Sequence, residues 1–129
     1  MIVVGLGKAG CNIAKAFSKF PQYETFGIDT AKEADITIKE RESHEEYDAN
    51  FPDLRRKLKV KNDQVLVVVA GAGTISGGTL RLLEQLKNND ITVLYIEGDL
   101  SIMSEVQKKQ ERIVGNVLQE YARSGLLEN

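Results

Sequence analysis

The sequence predicts a doubly wound α/β domain, a mainly parallel sheet of about five strands in the order 3-2-1-4-5 with helices on both faces. Three observations carry that expectation. Val65 to Val69 is an unbroken apolar run, mostly valine, too short for a helix and too apolar for an exposed strand, so it reads as a central parallel strand covered on both sides. It breaks into GAGTISGG at 71–78, and a first strand, Met1 to Val4, breaks in the same way into GLGKAGCN at 5–12. Strands then alternate with helical patterns along the whole chain, as crossover connections in a parallel sheet require.

Taken in order, the glycine turn after Met1–Val4 opens a helix in which Ile13, Ala16, Phe17 and Phe20 recur at helical spacing, and Pro21 closes it. Thr25 to Ile28 is a second strand, ending at Asp29-Thr30, and Asp35 to Ile38 a third, edge-like one. Lys39 to Asn50 is acidic and almost without apolar residues, which reads as a solvated excursion. Pro52 starts a short helix with Leu54 and Leu58 on its apolar edge, ended by Lys57, Lys59 and Lys61. After the pivotal strand, a leucine-rich helix spans about Thr79 to Lys87, Asn88-Asn89-Asp90 turns the chain, and Ile91 to Ile96 is another buried strand. The last helix runs from about Ser104 to Ser124, with Ile102, Val106, Ile113, Val117 and Tyr121 as its stripe, Ser104 and Gln107 as a capping box and Gly125 as its stop.

The chain has 129 residues, 42% of them hydrophobic, and a formal charge of -2, which together describe one ordinary soluble domain without a global pull toward nucleic acid or anionic membrane. No apolar run approaches the roughly 18 residues of a membrane helix. No basic region follows Met1, so no signal peptide is expected, and the single cysteine, Cys11, excludes an internal disulfide and suits a reducing cytoplasm.

Chemistry concentrates in the two glycine loops. Gly5, Gly7 and Gly10 form G-x-G-x-x-G at a strand-to-helix turn, and Asp29 ends the next strand where a ribose-binding acid falls in a Rossmann-like domain, so this half by itself points to NAD. The second loop adds glycine backbone free to take positive φ, the hydroxyls of Thr74 and Ser76, and N–H groups at a following helix N-terminus, a ready anion site. Two such loops on one sheet edge can clamp a triphosphate from both sides.

These residues resemble the FtsZ/tubulin GTPases. GLGKAGCN matches the family's G-x-G-G-x-G-x-N except that Lys8 replaces a glycine, and GAGTISG keeps five of the seven positions of G-G-G-T-G-[ST]-G, with Ala72 and Ile75 in place of glycines. FGIDT at 26–30 is similar to the family's strand ending in Asn-Thr, with Asp29 in the asparagine's place. Glu105 and Lys109 resemble the Glu and Arg that face the sugar in bacterial members. The resemblance implies a GTP/GDP-binding, cytoskeletal domain, with Mg2+ as a companion ion. Its nucleotide contacts would be Gly5, Gly7, Lys8, Ala9, Gly10, Cys11, Asn12, Asp29, Gly71, Ala72, Gly73, Thr74, Ile75, Ser76, Gly77, Glu105 and Lys109.

It also implies an incomplete machine. The family's central helix, acidic catalytic loop and second domain have no counterpart before Asn129, so the expectation is a domain that binds nucleotide without turning it over. Polymerisation and hydrolysis would belong to a longer form that self-associates, or to a partner subunit. Two other readings stay open: an NAD-binding regulatory or dehydrogenase domain with Asp29 on the ribose, and a nucleotide-free interaction module, to which Ala72 and Ile75 point.

Elsewhere the residues carry less. His44 stands among Glu40, Glu42, Glu45 and Glu46 and reads as part of a solvated acidic loop rather than a metal site. Arg55, Arg56, Lys57, Lys59 and Lys61 read as a solvated helix end, and Cys11 as small filler within its loop. With one histidine, no Ser/His/Asp or Cys/His set is expected.

Overall fold

The computed structural model describes residues 1–58, 64–70, 73–96 and 105–123. Its sheet has five strands, β1 (Ile2–Leu6), β2 (Glu24–Asp29), β3 (Ile36–Thr37), β4 (Gln64–Ala70) and β5 (Asp90–Ile96), in the order β3-β2-β1-β4-β5. All the pairings are parallel, with Leu6 opposite Val69 where β1 meets β4. The predicted order and the central place of Val65–Val69 therefore hold. The helices are α1 (Gly7–Phe17), α2 (His44–Ala49), α3 (Arg55–Leu58), α4 (Thr79–Gln85) and α5 (Glu105–Arg123), with a 3-10 turn at Thr74–Gly78 leading into α4.

The period of two in the strands sorts side chains to opposite faces. Val3 and Val68 pack with Ala14, Ile13, Phe17 and Tyr23 under α1. Ile2, Val4, Leu6, Val65, Val67 and Val69 face the larger cluster, which α2, α3 and α4 complete with Tyr47, Leu54, Leu58, Leu82 and Leu83. Leu54 and Leu58 are the predicted apolar edge of the Pro52 segment, both fully buried.

Several expectations change. The first strand runs on to Leu6, and α1 begins at Gly7, so Gly10, Cys11 and Asn12 lie inside the helix. The buried face of α1 is Gly7, Gly10 and Ala14; Ala16 is exposed, and Phe20, 53% exposed, lies past the helix end at Phe17. Small residues face the sheet because α1 packs so closely on it. A Cβ on Gly10 would stand 2.6 Å from the carbonyl oxygen of Val68, and one on Gly5 2.1 Å from that of Gly10.

The acidic stretch is not a solvated excursion. Ser43 caps α2, its hydroxyl accepting from the Glu46 N–H at 3.1 Å, while the Glu46 carboxylate accepts from the Glu42 N–H at 3.1 Å. His44 and Tyr47 are buried. The third strand shrinks to Ile36–Thr37, and β5 is an edge strand in which Ile91 is buried but Leu94 is exposed.

On α5 the predicted stripe is displaced by about one position. Gln110 and Val114 are buried and Leu118 packs against the core, whereas Val106 is 64% exposed and Ile113 also faces solvent. Ile102, Ser104, Gly125 and the side chains of Val117 and Tyr121 lie outside the described residues. Among those described, no helix is long and apolar enough to cross a membrane.

Candidate functional site

Parallel pairing of β1 with β4 brings the two glycine loops to the same carboxyl edge. They touch. Gly7 has φ +80, the one positive-φ glycine among the described residues, and a Cβ placed on it would stand 2.8 Å from Ile75 Cγ2. Ile75 therefore lies over Gly7, filling the space that a glycine at position 75 would leave between the loops. It sits in a 3-10 turn in which the glycines on either side of it have negative φ, -72° at Gly73 and -83° at Gly78.

The N-terminal turn of α1 is open to an anion. No side chain caps it, no acidic residue stands in its first turn, and Lys8 and Ala9 are exposed there, with Asn12 exposed one turn on. A lysine in a first turn opposes the helix dipole by roughly 0.3–1 kcal/mol, a cost that a bound anion reverses. An anion is the electrostatic complement of such an end. From it a cleft of about 450 Å3 runs between α1 and the end of β2, with Lys8, Asn12 and Lys15 along the helix and Asp29, Glu33 and Asp35 opposite. Asp29 accepts from the Thr30 N–H at 2.8 Å, and Asp35 from the Gly27 N–H at 2.8 Å.

Cys11 also lines this cleft, its thiol directed at the carbonyl oxygen of Ile28, 3.5 Å away. Burial, then the nearby carboxylates of Asp29 and Asp35, push its pKa up to about 11. That outweighs any lowering by the helix N-terminus, so Cys11 is a protonated filler.

The second loop is turned largely inward. The Ser76 hydroxyl donates to the Gly73 carbonyl at 2.5 Å, that of Thr79 to the Ser76 carbonyl at 2.6 Å, and Ser76, Gly77 and Gly78 are buried. Ser76 is thus a structural hydroxyl. Gly77 lies against the backbone of His44 and Gly78 against the ring of Phe51, so these glycines provide close approach rather than positive φ. Gly73 and the half-buried Thr74 remain toward solvent. Gly71 and Ala72 lie outside the described residues. Glu105 and Lys109 are exposed on α5, where Glu105 pairs with Lys108 at 3.5 Å.

His44 is the residue that sequence reasoning misplaced. It is only 7% exposed, and its Nε2 lies 3.3 Å from Ser76 Oγ, a Ser/His contact spanning 32 positions of sequence that was not expected. The Ser76 hydroxyl also lies against the Gly73 carbonyl, so the contact with His44 is one of at least two that it makes. Burial holds the His44 pKa below its ordinary value, against the opposing pull of Glu45 and Asp48. The signal that could have found α2 was the S-x-x-E spacing of Ser43 and Glu46. Among the described residues, no group of His, Cys, Asp and Glu is arranged to hold a metal ion.

The chain matches no protein-family model, no curated protein and no solved structure with which it was compared.

Proposed function

We propose that this chain is a nucleotide-binding domain, with phosphates held at the N-terminal turn of α1 and at Gly73–Thr74. On the resemblance of its two loops, the nucleotide is GTP or GDP and the domain is of FtsZ/tubulin type. The observation that supports this reading is convergence: two glycine loops leave neighbouring parallel strands and meet where Ile75 covers Gly7. The exposed residues Lys8 and Ala9, with their backbone N–H groups and the Lys8 ammonium, and the Thr74 hydroxyl supply the donors.

Neither glycine loop contains a carboxylate, and hydrolysis needs a group that orients water opposite the γ-phosphate. Turnover and filament formation therefore belong, in this reading, to a longer form or a partner subunit, and the setting is cytoplasmic. The resemblance supplies Mg2+ with the nucleotide, as a charge-neutralising companion to the phosphates.

One observation favours NAD as a second reading. The cleft beside α1 leads directly from the phosphate turn to Asp29, the position of a ribose-binding acid. Calorimetric titration with GTP, ATP and NAD decides between them. The guanine reading expects GTP to bind most tightly and Thr74→Ala to weaken binding more than Asp29→Ala. Preference for NAD with the opposite ranking supports the dinucleotide reading, and absence of binding by all three leaves the interaction module.

A further inference from the structure

Away from the α1 turn, α2, the Thr74–Gly78 turn, α4 and α5 line a partly open cavity of about 150 Å3, the liquid volume of roughly five waters. Its lining is divided. Leu80, Ile113 and Val114 form an apolar side, while His44, Glu45 and Asp48 bring polar groups from α2. The hydroxyls of Ser76 and Thr79 donate to backbone carbonyls of their own turn.

The carboxylates of Glu45 and Asp48 are acceptors. His44 is only 7% exposed; its Nε2 lies 3.3 Å from Ser76 Oγ, and its Nδ1 has no hydrogen-bond partner among the described residues. Asp48 lines the cavity, and Arg81 Nε lies 3.3 Å from its Oδ1. Arg81 is shared with Glu84, at 3.1 Å, so the negative charge of Glu45 and Asp48 at the cavity is only partly offset. An apolar side opposite acceptors and a net negative rim suits one chemistry, a hydrogen-bond-donating cation on a short hydrocarbon chain.

We propose that this cavity is a binding site for an alkylammonium group, with its chain along Leu80, Ile113 and Val114 and its ammonium toward His44, Glu45 and Asp48. Such a group comes either from a free small amine or from a lysine side chain of a partner. The site shares no residue with the α1 turn and borders the second glycine loop at Ser76 and Gly77.

The test is an NMR titration of the whole chain with n-butylammonium, using n-butanol as the neutral control of similar shape. Saturable shifts at His44, Leu80 and Val114 are expected, with a Kd of about 1–10 mM for so small a probe. Butanol is expected to bind at least about tenfold more weakly, and Glu45→Gln and Asp48→Asn to weaken butylammonium by about three- to tenfold each, because charge-assisted bonds are the stronger kind. Both substitutions are at partly solvent-exposed carboxylates, so folding is checked by unchanged shifts in β1 and β4. Tighter binding of Nα-acetyl-lysine-methylamide than of butylammonium identifies a partner's lysine, and the reverse a free amine. Linear, non-saturating shifts, equal binding of butanol, or indifference to both substitutions would overturn the proposal.

Discussion

Adding one methyl group at Gly77 should undock α2 from the second glycine loop. A Cβ there would stand 2.0 Å from the carbonyl oxygen of His44 and 2.8 Å from its carbonyl carbon, both backbone atoms that no rotamer change can remove. A carbon and an oxygen ordinarily come no closer than about 3.3 Å, so the first turn of α2 must retreat by more than about 1 Å. Overpacking of this kind costs about 1–3 kcal/mol when the surroundings yield. The alternative is release of α2, which forfeits the burial of Tyr47, about 1.5–3 kcal/mol, and the His44–Ser76 hydrogen bond, about 0.5–1.5 kcal/mol. Since the chain takes the cheaper route, Gly77→Ala is expected to cost about 2–3 kcal/mol, or roughly 4 °C of Tm per kcal/mol in a domain of this size. Gly73→Ala is the control, because its Cβ would meet only the Ala70 carbonyl oxygen at 3.7 Å and its φ is -72°. That change should be neutral or stabilising by up to about 1 kcal/mol. Thermal and urea unfolding followed by circular dichroism compares the two, and NMR titration of His44 reports whether α2 has left. Equal stability of the two variants, with His44 still titrating below its ordinary range, would refute the interlock.

Other consequences follow from burial and charge. Because the folded pKa of His44 lies below 6.5, the unfolded chain binds more protons in that window, so stability should fall as pH drops from 6.5 through the folded value; urea midpoints between pH 7 and 5 check this, and His44→Gln should flatten the slope. Cys11, raised from 9.0 to about 11, should react with iodoacetamide at pH 8 about a hundredfold more slowly than an ordinary thiol, as mass spectrometry over time would show. Val114→Ala should cost about 2 kcal/mol while Val106→Ala stays within about 0.5 kcal/mol, and equal unfolding midpoints would show that α5 is turned the other way. Gly10→Ala, driven against the Val68 carbonyl at 2.6 Å, should destabilise the domain by about 1–3 kcal/mol with no nucleotide present, as unfolding curves of the free protein would reveal.

The sheet was legible in the residues because its information is local. Val65–Val69 is buried whichever neighbours it has, glycine loops after β1 and β4 mark where parallel strands end, and the order 3-2-1-4-5 follows from short crossover connections. The expectation of an anion at Lys8 and Asn12 rests on equally local information, since a helix N-terminus carries its own dipole.

What only tertiary structure decided lies where the deciding atom belongs to another element. His44 looks solvated among its glutamates, and becomes buried because Gly77, far along the chain, has no side chain to keep α2 away. The acidic composition remained true of the outer face of α2, while the capping serine and two inward residues, His44 and Tyr47, were enough to dock a six-residue helix. The turn of α5 was likewise undetermined by spacing. Val106 with Ile113 and Val114 with Leu118 form adjacent apolar edges on one helix, and contact with the Thr74–Gly78 turn and α4 selects the second. Hydrophobic periodicity locates a stripe to within about one residue, 100° of helix rotation, and only the packed neighbour supplies the rest.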